Sequence, residues 1–315
     1  MKVAVTGAAG YLGRSVLRFL SEDPSITSVL GLDIVPPKFT HPKFSFQHAD
    51  VRTADFKEIF SGFDAVCHLA FIVQPPRKMP MNVIDEINVT GSRRVFEGAI
   101  DAGVERIVCA SSVAAYGVRP DNPEVLTEDS PLRPNENWYY SRTKGRVEAL
   151  LDDLQERHPN TTVIRLRPSV FLGPGIDNSL GRQFAAPFLV CFDRNMKLDL
   201  CWVEDVAEAF RLALHHRGSD AFNLAGDAPL TMEELGRLTG KRVLQLRRGL
   251  VLSILRTART LRLVGDGELE WLKVAAVHPL LVSSKKAKEK LGWKPRYDAA
   301  GTLLEFIRQR RLLNT

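Results

Sequence analysis

The sequence predicts an α/β protein: a doubly wound parallel sheet, followed by a smaller, discontinuous C-terminal domain. Three observations predict it. Short apolar runs alternate with helical patterns through the first half of the chain, as in consecutive βαβ units. A glycine-rich stretch follows the first apolar run, at residues 7–13. The alternation becomes irregular after Gly173, Pro174 and Gly175, where the second domain is expected to begin.

The apolar runs and helical periodicities place the elements in order. Strands are predicted at residues 2–6, 28–33, 44–49, 64–70, 106–111 and 161–167. Helices are predicted at 11–20, 83–102 and 139–157. In the second half, helices are predicted at 204–215, 232–240, 284–291 and 300–311, and a strand at 221–225.

Composition excludes several classes of protein. The 315 residues are 44% hydrophobic and 25% charged, as in ordinary globular chains, so disordered and fibrous architectures are not expected. Neither a membrane-spanning run nor a signal peptide is predicted. The net charge of +6 comes with no nucleic-acid-binding motif, so no nucleic-acid partner is predicted. The four cysteines have neither disulfide nor metal-site spacing, which predicts no metal and a reducing, cytoplasmic compartment.

The glycine stretch has the spacing GxxGxxG between a predicted strand and a predicted helix. Gly7 permits a tight turn, Gly10 lets the backbone approach a pyrophosphate, and Gly13 allows close helix–strand packing. The helix that begins at Tyr11 and Leu12 offers free N–H groups to the phosphates. We therefore predict that residues 1–174 form a dinucleotide-binding domain of the Rossmann type, to which 204–226 return. Residues 175–315 are predicted to form mainly the substrate-binding domain.

Asp33 ends the second predicted strand, 20 residues after Gly13. A carboxylate there can accept hydrogen bonds from both ribose hydroxyls of an adenosine, and it would repel a 2′-phosphate. No arginine follows directly, so NAD is predicted rather than NADP. The alternative is an ordinary turn aspartate at the end of a strand.

Further cofactor contacts are expected at successive strand ends, because ligands of open α/β sheets bind there. Asp50 and Val51 follow the third strand, where the adenine edge would lie, although Asp50 also suits a simple turn. Leu69, Ala70 and Phe71 follow the fourth strand, beside the ribose and phosphates.

A second group of residues carries acid–base chemistry. Tyr140 and Lys144 are spaced i, i+4 and share one helix face. The ammonium, with a nicotinamide cation, is expected to lower the pKa of the phenol so that it can exchange a proton with a substrate oxygen. Ser112, after the fifth strand, is expected to hold the same oxygen. The alternative is an amphipathic helix with a surface Tyr and Lys.

These motifs together resemble the extended short-chain dehydrogenase/reductases of the NAD-dependent epimerase/dehydratase family, over nearly the whole chain. The motifs in order are GAAGYLG, LDI, HADV, CHLAF, INVTGS, ASSVAAYG, YYSRTK, RPSVFLGPG, WVEDVAEA, FNLAG and KAKEKLGWKP. The resemblance implies a catalytic triad of Ser112, Tyr140 and Lys144, and selects Ser112 over Ser111. It implies that Asn88 lies beside the cofactor and is catalytic, holding a water in the proton path, and that Pro168 and Val170 meet the nicotinamide. It also implies a homodimer formed through helices 83–102 and 139–157.

The chain departs from the nucleotide-sugar enzymes of that family at two positions. Val170 stands where they usually carry an asparagine, and Leu198 stands where they tend to carry an arginine for the sugar-nucleotide pyrophosphate. Neither side chain can donate a hydrogen bond or pair with a phosphate. An apolar, aromatic stretch at 184–192 also suits an apolar substrate better than a nucleotide sugar.

Residues 247–264 contain five arginines and no acid, with apolar residues in a mostly helical stripe. Three interpretations are open. The segment is an ordinary packed helix, a lid over an apolar pocket, or a helix that lies on an anionic membrane surface.

We therefore expect an NAD-dependent oxidoreductase that interconverts a secondary alcohol and a ketone on a fairly apolar, small, non-nucleotide substrate. One alternative is an epimerase or dehydratase that acts on a nucleotide sugar, such as a UDP-glucose 4-epimerase, with tightly bound NAD. Another is a non-catalytic NAD-responsive binding protein, although such proteins often lose the tyrosine or lysine that this chain keeps.

Overall fold

The computed structural model describes most of the chain. The described residues are 1–76, 79–176, 184, 186–249, 251–253, 270, 273–274 and 277–313, with backbone only for 311–313. Most of the arginine-rich segment 247–264 therefore lies outside the described residues.

The strands follow the predicted order closely, with ends that differ by up to two residues. They are Lys2–Thr6 (β1), Ser28–Asp33 (β2), Phe44–His48 (β3), Ala65–His68 (β4), Arg106–Ala110 (β5), Thr162–Pro168 (β6), Val170–Leu172 (β7), Phe188–Cys191 (β8), Lys197–Leu198 (β9), Leu200–Trp202 (β10), Asp220–Leu224 (β11), Leu230–Thr231 (β12) and Arg242–Gln245 (β13).

The helices also lie where they are predicted, and short ones are added. They are Tyr11–Glu22 (α1), Phe56–Ile59 (α2), Met81–Asp85 (α3), Gly91–Asp101 (α4), Tyr139–Arg157 (α5), Val203–Ala213 (α6), Met232–Thr239 (α7), Lys285–Leu291 (α8) and Ala299–Leu313 (α9). None of the described helices is long and apolar enough to cross a membrane.

A seven-stranded parallel sheet dominates the part of the chain that is described. Its strand order is β11-β6-β5-β4-β1-β2-β3, so the chain reverses direction across the sheet between β1 and β4. This is the doubly wound α/β fold that the sequence predicts. Because all seven strands are parallel, their carboxyl ends lie at one edge, which is where such folds bind ligands.

Helices cover both faces of this sheet because its central strands are apolar on both sides. Along β1, Val3 and Val5 pack with α1 and α6 in one buried cluster, while Ala4 packs with α4 and α5 in another. Strand β11 pairs in parallel with β6, so this part of the second half does join the sheet. Elements β8, β10, α7 and α9 share a separate apolar cluster.

The helix predicted at 83–102 is interrupted. Its middle, Glu86–Thr90, is a π-helical turn between α3 and α4. Such turns insert one extra residue and often occur at functional sites. Here the turn carries Asn88, which is fully buried. Sequence periodicity gave no sign of the insertion, because a single extra residue barely changes the apolar pattern.

A buried ion pair lies beneath the end of β5. The Glu148 carboxylate on α5 accepts hydrogen bonds from Arg167 Nε at 2.8 Å and from Arg167 Nη2 at 3.0 Å. Arg167 Nη1 also donates to Tyr116 Oη at 2.9 Å. Burial alone would raise the pKa of Glu148, but the hydrogen bonds and charge of Arg167 hold it below its ordinary value. The pair therefore stays ionised in the core.

Replacing Glu148 is expected to destabilise the fold strongly, because it leaves the Arg167 charge buried without its partner. We expect Glu148→Gln to lower the free energy of unfolding by about 3 kcal/mol, measured by urea denaturation. The matched control is Glu97→Gln, which breaks a 3.8 Å surface pair with Arg93 and should cost about 0.5 kcal/mol or less. Equal losses for both variants would contradict this account of the core.

Candidate functional site

The first turn of the sheet domain has no room for side chains at its glycines. Gly7 has a φ of +71°, and a Cβ there would lie 2.6 Å from Ala70 N. A Cβ on Gly13 would lie 2.2 Å from Gly7 O. The turn is therefore pressed against both α1 and the loop after β4. Helix α1 begins at Tyr11 with neither a side-chain cap nor an acidic residue in its first turn, which leaves its N-terminal N–H groups available to an anion.

The Tyr11 side chain packs against Phe171, near the start of the second half of the chain. Its ring stacks on Phe171, with centroids 6.1 Å apart. The buried hydroxyl has no hydrogen-bond partner among the described residues. Burial raises the pKa of this phenol, so it stays protonated and keeps a free donor. The neighbouring Leu12 is half-buried in the core between α1 and the sheet.

Asp33 lies beside the glycine turn, as the sequence predicts. Its Oδ2 accepts a hydrogen bond from Ala9 N at 3.0 Å, and its Oδ1 accepts one from Ile34 N at 2.7 Å. The next residues, Ile34 and Val35, are exposed and apolar. The carboxylate thus faces the turn with no cation directly after it in the chain, which suits ribose hydroxyls and not a 2′-phosphate.

Asp50 forms a turn as well as lying at a strand end. It accepts hydrogen bonds from Arg52 N at 2.9 Å and from Arg52 Nη2 at 2.6 Å. Because Arg52 donates to it, the pKa of Asp50 lies below its ordinary value. Val51 is buried and packs against Gly91, where a Cβ would lie 2.6 Å from Val51 Cγ2. Asp50 therefore closes a turn, and its predicted contact with the cofactor stays a prediction.

The loop after β4 is fixed to the end of β1. Thr6 Oγ1 accepts hydrogen bonds from Leu69 N and Ala70 N, both at 3.3 Å. Ala70 then contacts Gly7. The predicted cofactor residues of this loop therefore lie directly beside the glycine turn.

A buried histidine continues this network. His68 Nδ1 lies 2.7 Å from Thr6 Oγ1, and His68 Nε2 lies 2.8 Å from Ser92 Oγ. Ser92 Oγ donates to Asn88 O at 2.6 Å, so it accepts from Nε2. Burial lowers the pKa of His68 to about 3, with a smaller contribution from Lys144. The ring is therefore neutral, and Nδ1 accepts from Thr6. His68 has a structural role, in agreement with the absence of a metal-site pattern around it.

Asn88 fixes the loop after β4 through its side-chain amide. Its Oδ1 accepts from Ile72 N at 2.7 Å, and its Nδ2 donates to Ile72 O at 3.0 Å. Nδ2 also donates to Tyr139 Oη. Both Nδ2 hydrogens therefore have protein partners in the chain, and the catalytic role that the resemblance implies for Asn88 stays a prediction.

The three predicted catalytic side chains do come together. Ser112 follows β5, and its Oγ accepts from Ala114 N at 3.2 Å. Ser112 lies close enough to Tyr140 for its hydroxyl to favour the phenolate form. Lys144 Nζ is buried, donates to Ala110 O at 2.7 Å and lies 3.6 Å from the centroid of the Phe71 ring. Because Phe71 belongs to the loop that contacts Gly7, the triad stands beside the glycine turn.

The sequence predicts a lowered tyrosine pKa when a nicotinamide cation is bound, and the protein chain alone has the opposite direction. Burial raises the pKa of Tyr140 above its ordinary value, and the nearby Ser112 hydroxyl offsets only part of that rise. Lys144 Nζ lies 5.9 Å from the Tyr140 ring centroid and is held over Phe71 instead. Burial also lowers the pKa of Lys144 to about 8. In the protein chain alone, desolvation therefore outweighs the attraction between ammonium and phenolate.

The surroundings of Tyr140 are apolar and aromatic. Its ring meets Phe71 edge-on, with centroids 5.8 Å apart, and lies 5.9 Å from the ring of Trp138. Trp138 packs with Val274 from the C-terminal part of the chain, and Leu280 joins the same cluster. The wall beside the phenol therefore offers few polar partners to a substrate.

The two positions that depart from the nucleotide-sugar enzymes are apolar in their setting. Pro168 is buried at the end of β6, and Val170 begins β7 with 38% of its surface exposed. Leu198 is half-buried and packs in the C-terminal apolar cluster. Arg182, which could replace the missing arginine as a partner for a sugar-nucleotide pyrophosphate, lies outside the described residues.

Two functional residues were missed by sequence reasoning. The Glu270 carboxylate accepts a hydrogen bond from Tyr139 N at 2.8 Å and caps the first turn of α5. Glu148 accepts a hydrogen bond from Ser111 Oγ and so anchors the residue before Ser112. The i, i+4 spacing of Lys144 and Glu148 could have revealed the second. No local signal reveals Glu270, which is 131 residues from its partner.

Among the residues described, no group of three or more His, Cys, Asp or Glu side chains is arranged to hold a metal ion. All four cysteines are buried and free. The site is therefore built from the glycine turn, the β4 loop and the three residues Ser112, Tyr140 and Lys144.

Comparisons with known proteins agree with this geometry. The sequence pattern of the NAD dependent epimerase/dehydratase family matches residues 3–225. The UDP-glucose 4-epimerase of Lactobacillus helveticus is 29% identical over 95% of this chain and 93% of its own length. The decarboxylating sterol-4-alpha-carboxylate 3-dehydrogenase of Mus musculus is 26% identical over 73% of this chain and 65% of its own.

The chain spans 66% of the length of the uncharacterised mycobacterial proteins that it matches at 28% identity. Among solved structures, MoeE5 in complex with UDP-glucuronic acid and NAD has a TM-score of 0.78 at 23% identity, over 99% of this chain and 100% of the other. That likeness shows the fold.

Substituting Gly13 is expected to impair NAD binding, because a Cβ there meets backbone oxygen at 2.2 Å. We expect Gly13→Ala to weaken NAD binding at least about tenfold by calorimetric titration, since overpacking a fixed turn shifts its backbone. The control is Gly249→Ala, where a Cβ meets no heavy atom within 4 Å. Unchanged affinity in Gly13→Ala would show that the turn does not hold the cofactor.

Proposed function

Because the chain belongs to the NAD-dependent epimerase/dehydratase family, we propose that it is an oxidoreductase that interconverts a secondary alcohol and a ketone on a fairly apolar, non-nucleotide substrate. One observation carries the proposal: the proton-exchanging Tyr140 lies in an apolar, aromatic wall formed with Phe71 and Trp138. The absence of polar side chains at Val170 and Leu198 supports it.

The glycine turn fits the family's cofactor, NAD. Helix α1 begins without a side-chain cap, so N–H groups of its first turn are proposed to bind the pyrophosphate, and Asp33 beside the turn is proposed to bind the adenosine ribose. Asp50, Val51, Pro168 and Val170 are proposed to border the same ligand. When bound, NAD supplies the hydride acceptor or donor at its nicotinamide ring.

Tyr140 moves the proton in this proposal. Its raised pKa keeps the phenol protonated at neutral pH, so it is ready to donate to a substrate carbonyl oxygen. In the opposite direction the phenolate must form first, so alcohol oxidation requires additional stabilisation of that anion. Ser112, whose hydroxyl lies near the phenol, is proposed to hold the substrate oxygen beside Tyr140.

Lys144 provides that stabilisation through its charge. Because burial lowers its pKa to about 8, the ammonium is charged below that pH and neutral above it. A charged Lys144 favours the phenolate form of Tyr140. One Nζ hydrogen is used by Ala110 O, which leaves two donors for a nicotinamide ribose.

A second function, an epimerase or dehydratase acting on a nucleotide sugar with tightly bound NAD, is favoured by a different observation. The Lactobacillus helveticus UDP-glucose 4-epimerase aligns with 95% of this chain, including its second half. The mouse sterol dehydrogenase relative supports the first function. The same Ser112, Tyr140 and Lys144 serve both reactions, so substrate binding has to distinguish them.

Two further predictions belong to this proposal. One is a homodimer formed through α5 and the helical segment 83–102, which includes the π-helical turn and α4. Light scattering after size exclusion would detect this dimer. The other is a cytoplasmic location, which the unpaired cysteines favour.

Removing the Tyr140 hydroxyl is expected to abolish proton exchange without disturbing NAD binding. We expect Tyr140→Phe to lower kcat by roughly 10²- to 10⁴-fold, followed at the nicotinamide absorbance. The matched control is Tyr139→Phe, which loses hydrogen bonds to Asn88 and Ile72 and should lose at most about tenfold. Full turnover by Tyr140→Phe would refute the assignment.

Ligand-induced stabilisation distinguishes the two functions. We expect the melting temperature to rise with NAD, and to rise further with apolar secondary alcohols or ketones but not with UDP or UDP-glucose, because ligands stabilise only what they bind. Turnover of the alcohols with NAD is measured in parallel. Purified protein that retains NAD and is stabilised by UDP-glucose would instead establish the second function.

A further inference from the structure

The positive charge of the chain is concentrated in one stretch. Residues 241–264 contain no Asp or Glu and seven cations, which exceed the whole chain's net charge of +6. The cations are Lys241, Arg242, Arg247, Arg248, Arg256, Arg259 and Arg262. The rest of the molecule is therefore close to neutral, and this stretch dominates its attraction to anions.

This stretch begins with strand β13, one face of which is exposed to solvent. Strand β13 pairs in parallel with β8, with Arg242 beside Phe188 and Leu244 beside Val190. Leu189 and Val243, which form the pair between them, pack into the C-terminal apolar cluster. Because neighbouring residues in a sheet point to alternate faces, Phe188, Arg242 and Leu244 share the outer face. Phe188 is 43% exposed and Leu244 is 40% exposed.

The exposed face continues past the strand. Leu246 is 36% exposed, and Arg247 and Arg248 are exposed directly after it. Of the ten exposed large apolar side chains in the described part of the chain, three lie here. We define the β8–β13 surface by its apolar and basic side chains: Phe188, Leu244, Leu246, Arg242, Arg247 and Arg248.

The flank of this surface is also rich in cations. A cavity of about 500 Å³ opens beside β13 at Val243. Its charged lining consists of Arg194, Arg237, Lys241, Glu233 and Glu234. The Glu234 carboxylate already accepts a hydrogen bond from Thr231 N at 2.8 Å, at the N-terminus of α7. The cations there outnumber the acids, so the flank does not cancel the charge of the β8–β13 surface.

We propose that the β8–β13 surface docks the protein on an anionic lipid bilayer. The charge complementarity selects this occupant: arginines attract the lipid headgroups, while Phe188, Leu244 and Leu246 enter the boundary between headgroups and acyl chains. Stable peripheral attachment needs two such signals together, and this surface has both.

This inference is independent of the proposed function. The surface contains none of Ser112, Tyr140 and Lys144. A variant can therefore lose membrane docking and keep catalysis, or lose catalysis and keep membrane docking. Docking brings the enzyme to a phase in which apolar alcohols and ketones concentrate, which agrees with the apolar wall around Tyr140.

The test is co-sedimentation of the full chain with large vesicles. We expect binding to phosphatidylcholine vesicles that contain about one third phosphatidylglycerol, little binding to pure phosphatidylcholine, and weaker binding at high salt. Replacing Arg242, Arg247 and Arg248 by Gln should weaken binding by at least about tenfold, because each cation near an anionic surface contributes roughly fivefold. The same three positions changed to Lys should restore it.

The apolar part is tested separately. Leu244→Ser combined with Leu246→Ser, which adds no charge, should lose binding to the anionic vesicles, whereas Leu304→Ser should not, although Leu304 on α9 is 47% exposed. Circular dichroism melting checks that each variant is folded. Absence of binding to anionic vesicles, or equal binding by the Gln variant, would overturn the proposal. So would a Leu244→Ser variant that dissociates a dimer while vesicle binding is unchanged, since the surface would then join two copies of the chain.

Discussion

The close contact between the first turn of the sheet domain and the loop after β4 is the constraint on which the site depends. Gly7 leaves no space for a Cβ against Ala70, so the two loops share one surface. Thr6 holds the second loop by accepting from Leu69 N and Ala70 N. Phe71 then reaches the catalytic side chains, because its ring lies against both Tyr140 and Lys144. The glycine turn and the proposed proton-exchanging group, Tyr140, are thus joined by three consecutive residues.

Buried polar groups keep that contact in place. The neutral His68 ring links Thr6 to Ser92, and Asn88 holds Ile72 from the π-helical turn. Each of these groups has its hydrogen-bond partners, as a network in a low-dielectric interior requires, since an unsatisfied member would cost more than it contributes. The chemistry of the site is therefore held by residues that do not themselves react.

Desolvation sets the electrostatics of the catalytic residues. Burial raises the pKa of Tyr140 and lowers the pKa of Lys144 to about 8, so in the protein chain alone the lysine gives up its proton more readily than the tyrosine. Glu148 acts in the opposite direction on Lys144 and favours its charged form. Arg167 keeps the Glu148 carboxylate ionised, and the same carboxylate accepts a hydrogen bond from Ser111 Oγ. One buried ion pair therefore positions the loop that carries Ser111 and Ser112 and favours the charged form of Lys144.

Local patterns in the sequence determined the parallel sheet, the glycine turn, helix α5 from Tyr139 to Arg157 and the grouping of Ser112, Tyr140 and Lys144. These follow from spacing along the chain and from the rule that parallel strands end at one edge. Only the tertiary structure decided the partners of Asn88, the Glu270 cap on α5, the π-helical turn and the direction of the Tyr140 pKa. Each of these depends on burial or on contacts between distant residues, such as Tyr139 and Glu270. Desolvation and long-range hydrogen bonds exist only after the chain has folded, so no local pattern encodes their outcome.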